Sequence, residues 1–508
     1  MKRWMLGAIL VGLTATAGAA PSSLVDAAQQ PDPAQALALI DHGADVNAPA
    51  ADGTTPLMWA AHRGDFTLVQ ALLKAHAKVD LSNSYGANAM LEAAQFGDVR
   101  IIEALLKAGA NVESPNPDGE TALMLVARAG NIEAGKLLLK HGANVNAQEN
   151  FRGQTPLIWA AAESQPAMVK LLIDAHADVN ARSVINTNRR EVTGEPRAQA
   201  RPPGGMTPLL YAARQGCLGC VRYLAEGHAD LNMADPEGIT PMLIATENFN
   251  FDIAALLLKH GADANRWDWW GRTPLYAAVD LNTLPYGGRA DHISMDETTP
   301  LKLIELLLDA GANPNARLKL FPPYRALGAD RGGDTLLTIG TTPLLRAARA
   351  GDAPAIKLLL AHHALPDLGN NVDVTPLMAA AGVGTSGVDT RGKYKTQAEA
   401  SAAIKLLVAG GANVNAVDVR GLTALHGAAL LGSDDVVRTL AAENARLDMK
   451  DNRGITPLDM ALGKGGGLGR GGEGATVHQS TADLIKQLLA NNAAGGAAPP
   501  TAANTSLK

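Results

Sequence analysis

Apolar and polar positions along this chain recur in a fixed order about every 33 residues. In GTTPLMWAAHRGDFTLVQALLKAHAKVD, residues 53–80, Thr55 is suited to cap a helix and Pro56 to fill its first position, where no amide donor is needed. Gly64 predicts the end of that short helix. Asp65 then predicts the cap of a second helix, whose Leu68, Val69, Leu72 and Leu73 form one apolar stripe. The stretch up to the next threonine reads as a turn or hairpin. The threonine position falls at 55, 88 (an Asn), 121, 155, 207, 240, 273, 342, 375, 423 and 456, with spacings of 33, 33, 34, 52, 33, 33, 69, 33, 48 and 33. A period of 33 is the mark of stacked units that cannot bury their apolar faces alone.

The unit resembles the ankyrin repeat through TPLMWAA (55–61), ALLKAGANV (104–112), LLLKHGANVNA (137–147) and GLTALHGAA (421–429). The resemblance spans about residues 22–492 and implies an all-α solenoid of helix-turn-helix-hairpin units. Eleven units follow an N-terminal one, SSLVDAAQQPDPAQALALIDHGADVNA, which lacks the Thr-Pro-Leu start and reads as a cap. The family resembled includes exported bacterial multi-repeat proteins, and it implies a single elongated scaffold for a protein partner. Where most units place Gly after the second helix (Gly43, Gly109, Gly142, Gly261, Gly311, Gly411), others have His76, His176, His228, His363 or Asn444. That exit calls for a left-handed residue, which Gly takes best and Asn or His tolerate. His42, His141, His260 and His362 sit one residue earlier, so register rather than chemistry accounts for these histidines.

The N-terminus, MKRWMLGAILVGLTATAGAA, has Lys2 and Arg3, a short apolar run and small residues up to Ala20, the layout of a cleavable signal over 1–20. The apolar run is too short to stay as a membrane helix, and no later stretch is long and apolar enough. The mature chain is therefore expected in the periplasm or secreted. Without Lys2 and Arg3 the balance of 44 basic and 50 acidic residues becomes 42 and 50, a net of −8, which argues against nucleic acid as a partner. Five insertions break the period. Those at 182–205 and 317–340 lengthen hairpins, and those at 282–299, 383–400 and 463–480 separate the two helices of one unit. Residues 493–508 read as a disordered tail.

In the pattern resembled, the residue two after the Leu of Thr-Pro-Leu faces a concave groove. Along this chain that row is Trp59, Glu92, Leu125, Trp159, Tyr211, Ile244, Ala277, Arg346, Ala379, Gly427 and Met460. Hairpin positions add Tyr85, Phe151, Trp269 and Trp270, with Trp267 beside them. Rings at positions the repeat leaves variable point to a contact surface, so Trp59, Tyr85, Phe151, Trp159, Tyr211, Trp267, Trp269 and Trp270 are the candidate partner-binding residues. Two alternatives stand beside a protein partner: stacking on glycan or peptidoglycan fragments, and coverage of the rings by the inserted loops. Cys217 and Cys220, the only cysteines, occupy the cap and first turn of a second helix. In an oxidising compartment they predict a local disulfide, with a redox role as the alternative. His426 is the one histidine in the Thr-Pro-Leu-His position, where the family implies structural hydrogen bonding. There is no phosphate loop, nucleophile elbow or His-Glu-x-x-His, so no catalytic residue, metal or cofactor is expected.

Overall fold

The computed structural model describes residues 23–185, 204–283, 294–320, 336–384, 395–464 and 476–494. The proposed signal, most of each insertion and nearly all of the proposed tail lie outside the described residues. The chain divides into two compact units at Val184/Ile185, inside the first insertion.

Unit 1 contains α1 (Leu24–Ala28), α2 (Ala34–Asp41), α3 (Pro56–His62), α4 (Phe66–Lys74), α5 (Ala89–Phe96), α6 (Val99–Lys107), α7 (Ala122–Ala129), α8 (Ile132–Lys140), α9 (Pro156–Ala162) and α10 (Pro166–Asp174). Unit 2 contains α11 (Pro208–Gln215), α12 (Leu218–Glu226), α13 (Pro241–Glu247), α14 (Phe251–Lys259), α15 (Pro274–Asn282), α16 (Pro300–Asp309), α17 (Pro343–Ala350), α18 (Ala353–Ala361), α19 (Pro376–Ala381), α20 (Gln397–Ala409), α21 (Ala424–Leu430), α22 (Asp434–Ala442), α23 (Pro457–Ala461) and α24 (Gln479–Ala494). Within each unit the odd-numbered helices pack on one another in sequence, and so do the even-numbered ones, giving two helical layers. Among the described residues the only β pairing is in two isolated bridges, Ser82 with Asn88 and Ile185 with Gly204. The all-helical repeat array expected from the period is therefore what the chain forms. Four boundaries differ from expectation: α15 ends on Asn282, and α20 and α24 start at Gln397 and Gln479, all inside segments read as insertions, while α24 runs to Ala494, into the segment read as tail.

Local chemistry explains each element. Thr55 Oγ1 accepts from the Met58 amide at 3.3 Å and Asp65 Oδ1 from the Leu68 amide at 2.9 Å, each satisfying an end-of-helix donor. At the degenerate second unit Asn88 Oδ1 does the same for Leu91 at 2.9 Å, so losing the threonine does not lose the cap. Between the layers the stripe predicted on α4 is buried at Leu68, Val69 and Leu72, and the same register recurs as Ile101, Ile102 and Leu105 on α6. Each such side chain contributes about 1.5–3 kcal/mol by leaving water.

The hairpins couple one repeat to the next through polar side chains. The asparagine of the Ala-Asn-Val-Asn-type exit accepts from a backbone amide one repeat on: Asn146 from Asp178 at 2.8 Å in unit 1, and in unit 2 Asn232 from Asp263 at 2.8 Å, Asn265 from Asn313 at 2.7 Å and Asn315 from Leu365 at 2.8 Å. Within a hairpin, an Asp or Asn closes the turn by accepting from the amides two and four residues on, as Asp418 does from Arg420 and Leu422 at 2.8 and 2.9 Å.

The second-helix exits are left-handed at His76, His176, His228, His363 and Asn444, with φ between 64° and 68°, as at the glycines they replace. His176 is exposed, so its place is decided by backbone rather than packing. Accordingly, His176→Gly is expected to leave the thermal midpoint unchanged or slightly raised. His176→Val is expected to destabilise by about 1–2 kcal/mol, because a β-branched residue resists this conformation. Melting followed by circular dichroism distinguishes the two.

Candidate interaction surface

In unit 1 the structure gathers part of the predicted aromatic set. Trp59 on α3 is half-buried, and its ring meets His62 edge-on with centroids 5.5 Å apart. His62 in turn meets Phe96 of α5 at 5.1 Å and places Nδ1 2.8 Å from Glu92 Oε2. Three repeats on, Trp159 of α9 occupies the place equivalent to Trp59, with the Arg128 guanidinium 5.1 Å above its ring. Both indole Nε1 atoms are buried and meet no acceptor among the described residues. Tyr85 and Phe151, on hairpins of the same unit, are 74% and 78% exposed. Phe96 and His62 were missed by the sequence reading. Both lie one turn along from the row it followed, three and four residues after its members, which is the signal that could have found them.

Unit 2 separates the three clustered tryptophans. Trp267 and Trp269 are 51% and 55% exposed, whereas Trp270 is only 2% exposed, so its expected surface position is corrected. Amides of Lys319 and Leu320, from the following hairpin, donate to the Trp270 carbonyl at 2.8 and 3.2 Å, and the Arg272 guanidinium lies 5.0 Å from the ring. Tyr211 is half-buried beneath Arg214 at 5.0 Å, and Lys319 Nζ stands 3.0 Å over Trp267. A cation thus faces the ring at Phe151, Trp159, Tyr211, Trp267 and Trp270, an arrangement that sequence reasoning did not anticipate.

The supposed open row is closed over much of its length. Leu125, Ile244, Ala277, Ala379 and Met460 are buried, and so is Arg346, which forms an ion pair with Asp280 of α15. A second buried pairing lies beside it in the sequence: Arg272 binds Asp268 through Nε at 2.7 Å and Nη2 at 2.6 Å, and also pairs with Glu247 at the end of α13. Burial pushes the Glu247 carboxyl up to about 7, with the Arg272 guanidinium pulling the other way and Asp268, Asp280 and Asp235 adding to the rise. Burial likewise pushes Asp235 up to about 6. Crowded carboxylates with raised pKa values are also found in active sites, but no group of three or more His, Cys, Asp or Glu able to hold a metal occurs among the described residues.

Cys217 is the N-cap of α12, the place held by Asp65 on α4 and Asn131 on α8, and it is joined to Cys220 by a disulfide. Its Sγ accepts from the Cys220 amide at 3.2 Å, so it also serves as the cap, and both cysteines are buried. His426 accepts the Thr423 amide at Nδ1 (3.1 Å) and donates from Nε2 to the Ile455 carbonyl (3.1 Å), linking adjacent repeats as a neutral ring. Burial lowers its pKa, against the opposing effect of the Ile455 carbonyl.

Models of the family described as "Ankyrin repeats (3 copies)" match residues 24–116, 92–183, 209–318 and 395–468, and "Ankyrin repeat" matches 339–371. The chain belongs to the ankyrin-repeat family. It is similar to neurogenic locus notch homolog protein 1 of Xenopus tropicalis, 33% identical over 125 residues that make up 24% of this chain and 4% of that protein. It is also similar to the Caenorhabditis elegans homolog of transient receptor potential cation channel subfamily A member 1, 34% identical over 124 residues, 24% of this chain and 9% of that one. The chain thus spans less than a tenth of these relatives. Among solved structures, the human ASB11 ankyrin repeat domain aligns with a TM-score of 0.40 and 22% identity, covering 48% of this chain and 99% of that one. Ankyrin arrays are typically protein–protein interaction scaffolds and usually non-catalytic. No helix among the described residues is long and apolar enough to cross a membrane.

The carboxylate cluster makes a pH prediction. A carboxyl whose pKa is raised on folding binds its proton more tightly in the folded state, so its contribution to stability falls as pH rises from about 4.5, the unfolded value, through about 7. Glu247→Gln removes that loss. The variant and wild type are expected to melt alike near pH 4.5 and the variant to melt higher at pH 8, by an amount on the order of 1 kcal/mol after allowance for the Arg272 pair. A variant that melts lower than wild type at pH 8 would refute this account of the cluster.

Proposed function

We propose that this protein is an exported, non-enzymatic scaffold of the cell envelope or its surroundings, binding a protein partner through the aromatic surface of its odd-numbered helices and its hairpins. The observation that carries the reading is the recurrence of half-buried Trp59 and Trp159 at equivalent places in unit 1, ringed by Phe96, His62 and Arg128. Aromatic and arginine side chains in partly dry settings are the groups that dominate protein interfaces. Tyr85 and Phe151 extend that surface onto the hairpins of unit 1. Tyr211, Trp267 and Trp269 offer a comparable set in unit 2. Export is supported by the leader-like first twenty residues and by a disulfide between the only two cysteines.

Retention of envelope proteins by the immobilised mature chain tests the binding reading. Trp59→Ala/Trp159→Ala and Trp267→Ala/Trp269→Ala variants, checked for intact helix content, are expected to lose a specific retained protein by about tenfold or more. If both folded variants retain the same proteins as wild type, the aromatic surface is not the recognition site. Quenching of tryptophan fluorescence by soluble glycan fragments, with no protein retained, would move the reading to glycan binding. For export, the full chain expressed in its native host is expected to yield a mature N-terminus near Pro21 in the envelope or medium. An intact Met1 chain confined to the cytoplasm would defeat that part.

A further inference from the structure

Within unit 2 a cavity of about 340 Å³ opens between α21, α23 and the turn after α19. Its apolar wall is made by Val383, Leu422, Leu430 and Met460. Gly427 lies where the equivalent helices carry Trp59, Trp159 or Tyr211. A Cβ there would come 2.6 Å from the Val383 backbone nitrogen, so glycine is required for the close approach that shapes this hollow. His426 lines it too, but both ring nitrogens are engaged with Thr423 and Ile455, so it supplies surface rather than charge.

The rim is polar and held in place. Arg420 directs Nε and Nη2 to Asp418 Oδ2 at 2.9 and 2.7 Å, and Arg453 does the same to Asp451 through Nε and Nη2, each at 3.0 Å. Both aspartates are buried and are themselves fixed by the hairpin amides, while both guanidinia stand partly in solvent. Each cation is anchored along one edge, so little side-chain freedom remains to be lost when a ligand arrives. The volume is at the small end for a ligand pocket, sufficient for one leucine- to phenylalanine-sized group.

We propose that this pocket binds an apolar group bearing a carboxylate, the apolar body seated against Leu422, Leu430 and Met460 and the carboxylate at the Arg420 and Arg453 rim. That chemistry is shared by small aliphatic or aryl-alkyl carboxylic acids and by the free C-terminal residue of a peptide. The site is separate from the aromatic surface proposed above, and neither reading depends on the other.

The test titrates the full mature protein, by ligand-observed NMR, with 4-methylpentanoate and 3-phenylpropionate, their uncharged carboxamides, and a tetrapeptide ending in Leu with a free or amidated C-terminus. Saturable binding of acids below about 10 mM is expected, with the amides at least about fivefold weaker. Arg420→Gln is expected to weaken the acids by about the same factor without affecting the amides, and Leu430→Trp, which fills the hollow, to weaken both. A free-terminus peptide at least tenfold tighter than 4-methylpentanoate identifies a chain terminus as the source; equal or weaker peptide binding identifies the free acid. No binding by any probe, or equal binding of acids and amides by the wild-type protein, overturns the proposal without recourse to a variant. Acid binding unchanged in both folded variants overturns it as well, since the ligand then sits elsewhere.

Discussion

Everything in this protein depends on the inability of one 33-residue repeat to cover its own apolar face. The short helices α3 and α4, with their hairpin, can bury Leu68, Val69 and Leu72 only against the next pair, which presents Ile101, Ile102 and Leu105 in the same register. Stability is therefore built from neighbour-to-neighbour contacts, and the polar ladder follows the same rule, with each exit asparagine satisfying a backbone amide one repeat along. Main-chain bonds run alongside that ladder from hairpin to hairpin, as from the Ser84 amide to the Asp52 carbonyl at 2.8 Å.

This constraint separates the positions that must be kept from those open to variation. Caps, exits and stripe residues draw on narrow sets: a threonine, asparagine or aspartate at most caps, with Cys217 at α12, and glycine, histidine or asparagine at the second-helix exits. The variable row on the odd-numbered helices has freedom, and this chain uses it in two ways. In unit 1 it places aromatic rings that remain partly in water, with cations beside them. In unit 2 it places Arg346, which pairs with Asp280 out of water, while on the hairpin before α15 Arg272 pairs with buried Asp268 and with partly exposed Glu247. Buried pairs of this kind are weak evidence for stability, since desolvation offsets much of the attraction. The cost of desolvation itself shows in the raised Glu247 and Asp235 carboxyls, which Arg272 offsets only in part at Glu247.

The cysteine pair shows how the same frame absorbs a chemical group. At the cap of α12 a sulfur takes the acceptor role that Asp65 and Asn131 fill elsewhere, and the disulfide to Cys220 closes the first turn. A motif that in other settings belongs to redox chemistry is here set in a helix start, with both sulfurs turned inward. Gly427 is the converse case, where the loss of a side chain lets the Val383 turn come close and leaves a hollow beneath two anchored arginines.

The repeat period, the caps and the left-handed exits were legible in the sequence alone. Each is decided within four or five residues, by a hydrogen bond to a nearby amide or by the φ a residue can adopt. His176 and Asn444 announce their conformation by standing where glycine stands elsewhere. The burial of Trp270 beside exposed Trp267 and Trp269 was not legible, because the segment its hairpin meets, Lys319 and Leu320, lies about fifty residues onward. Nor was the burial of Arg346, whose partner Asp280 is 66 residues away. Local rules settle which residues can begin, turn and end each helix. Which side chains on the variable face meet water depends on contacts between residues far apart in the chain, such as Arg346 with Asp280, and the local pattern carries no record of those.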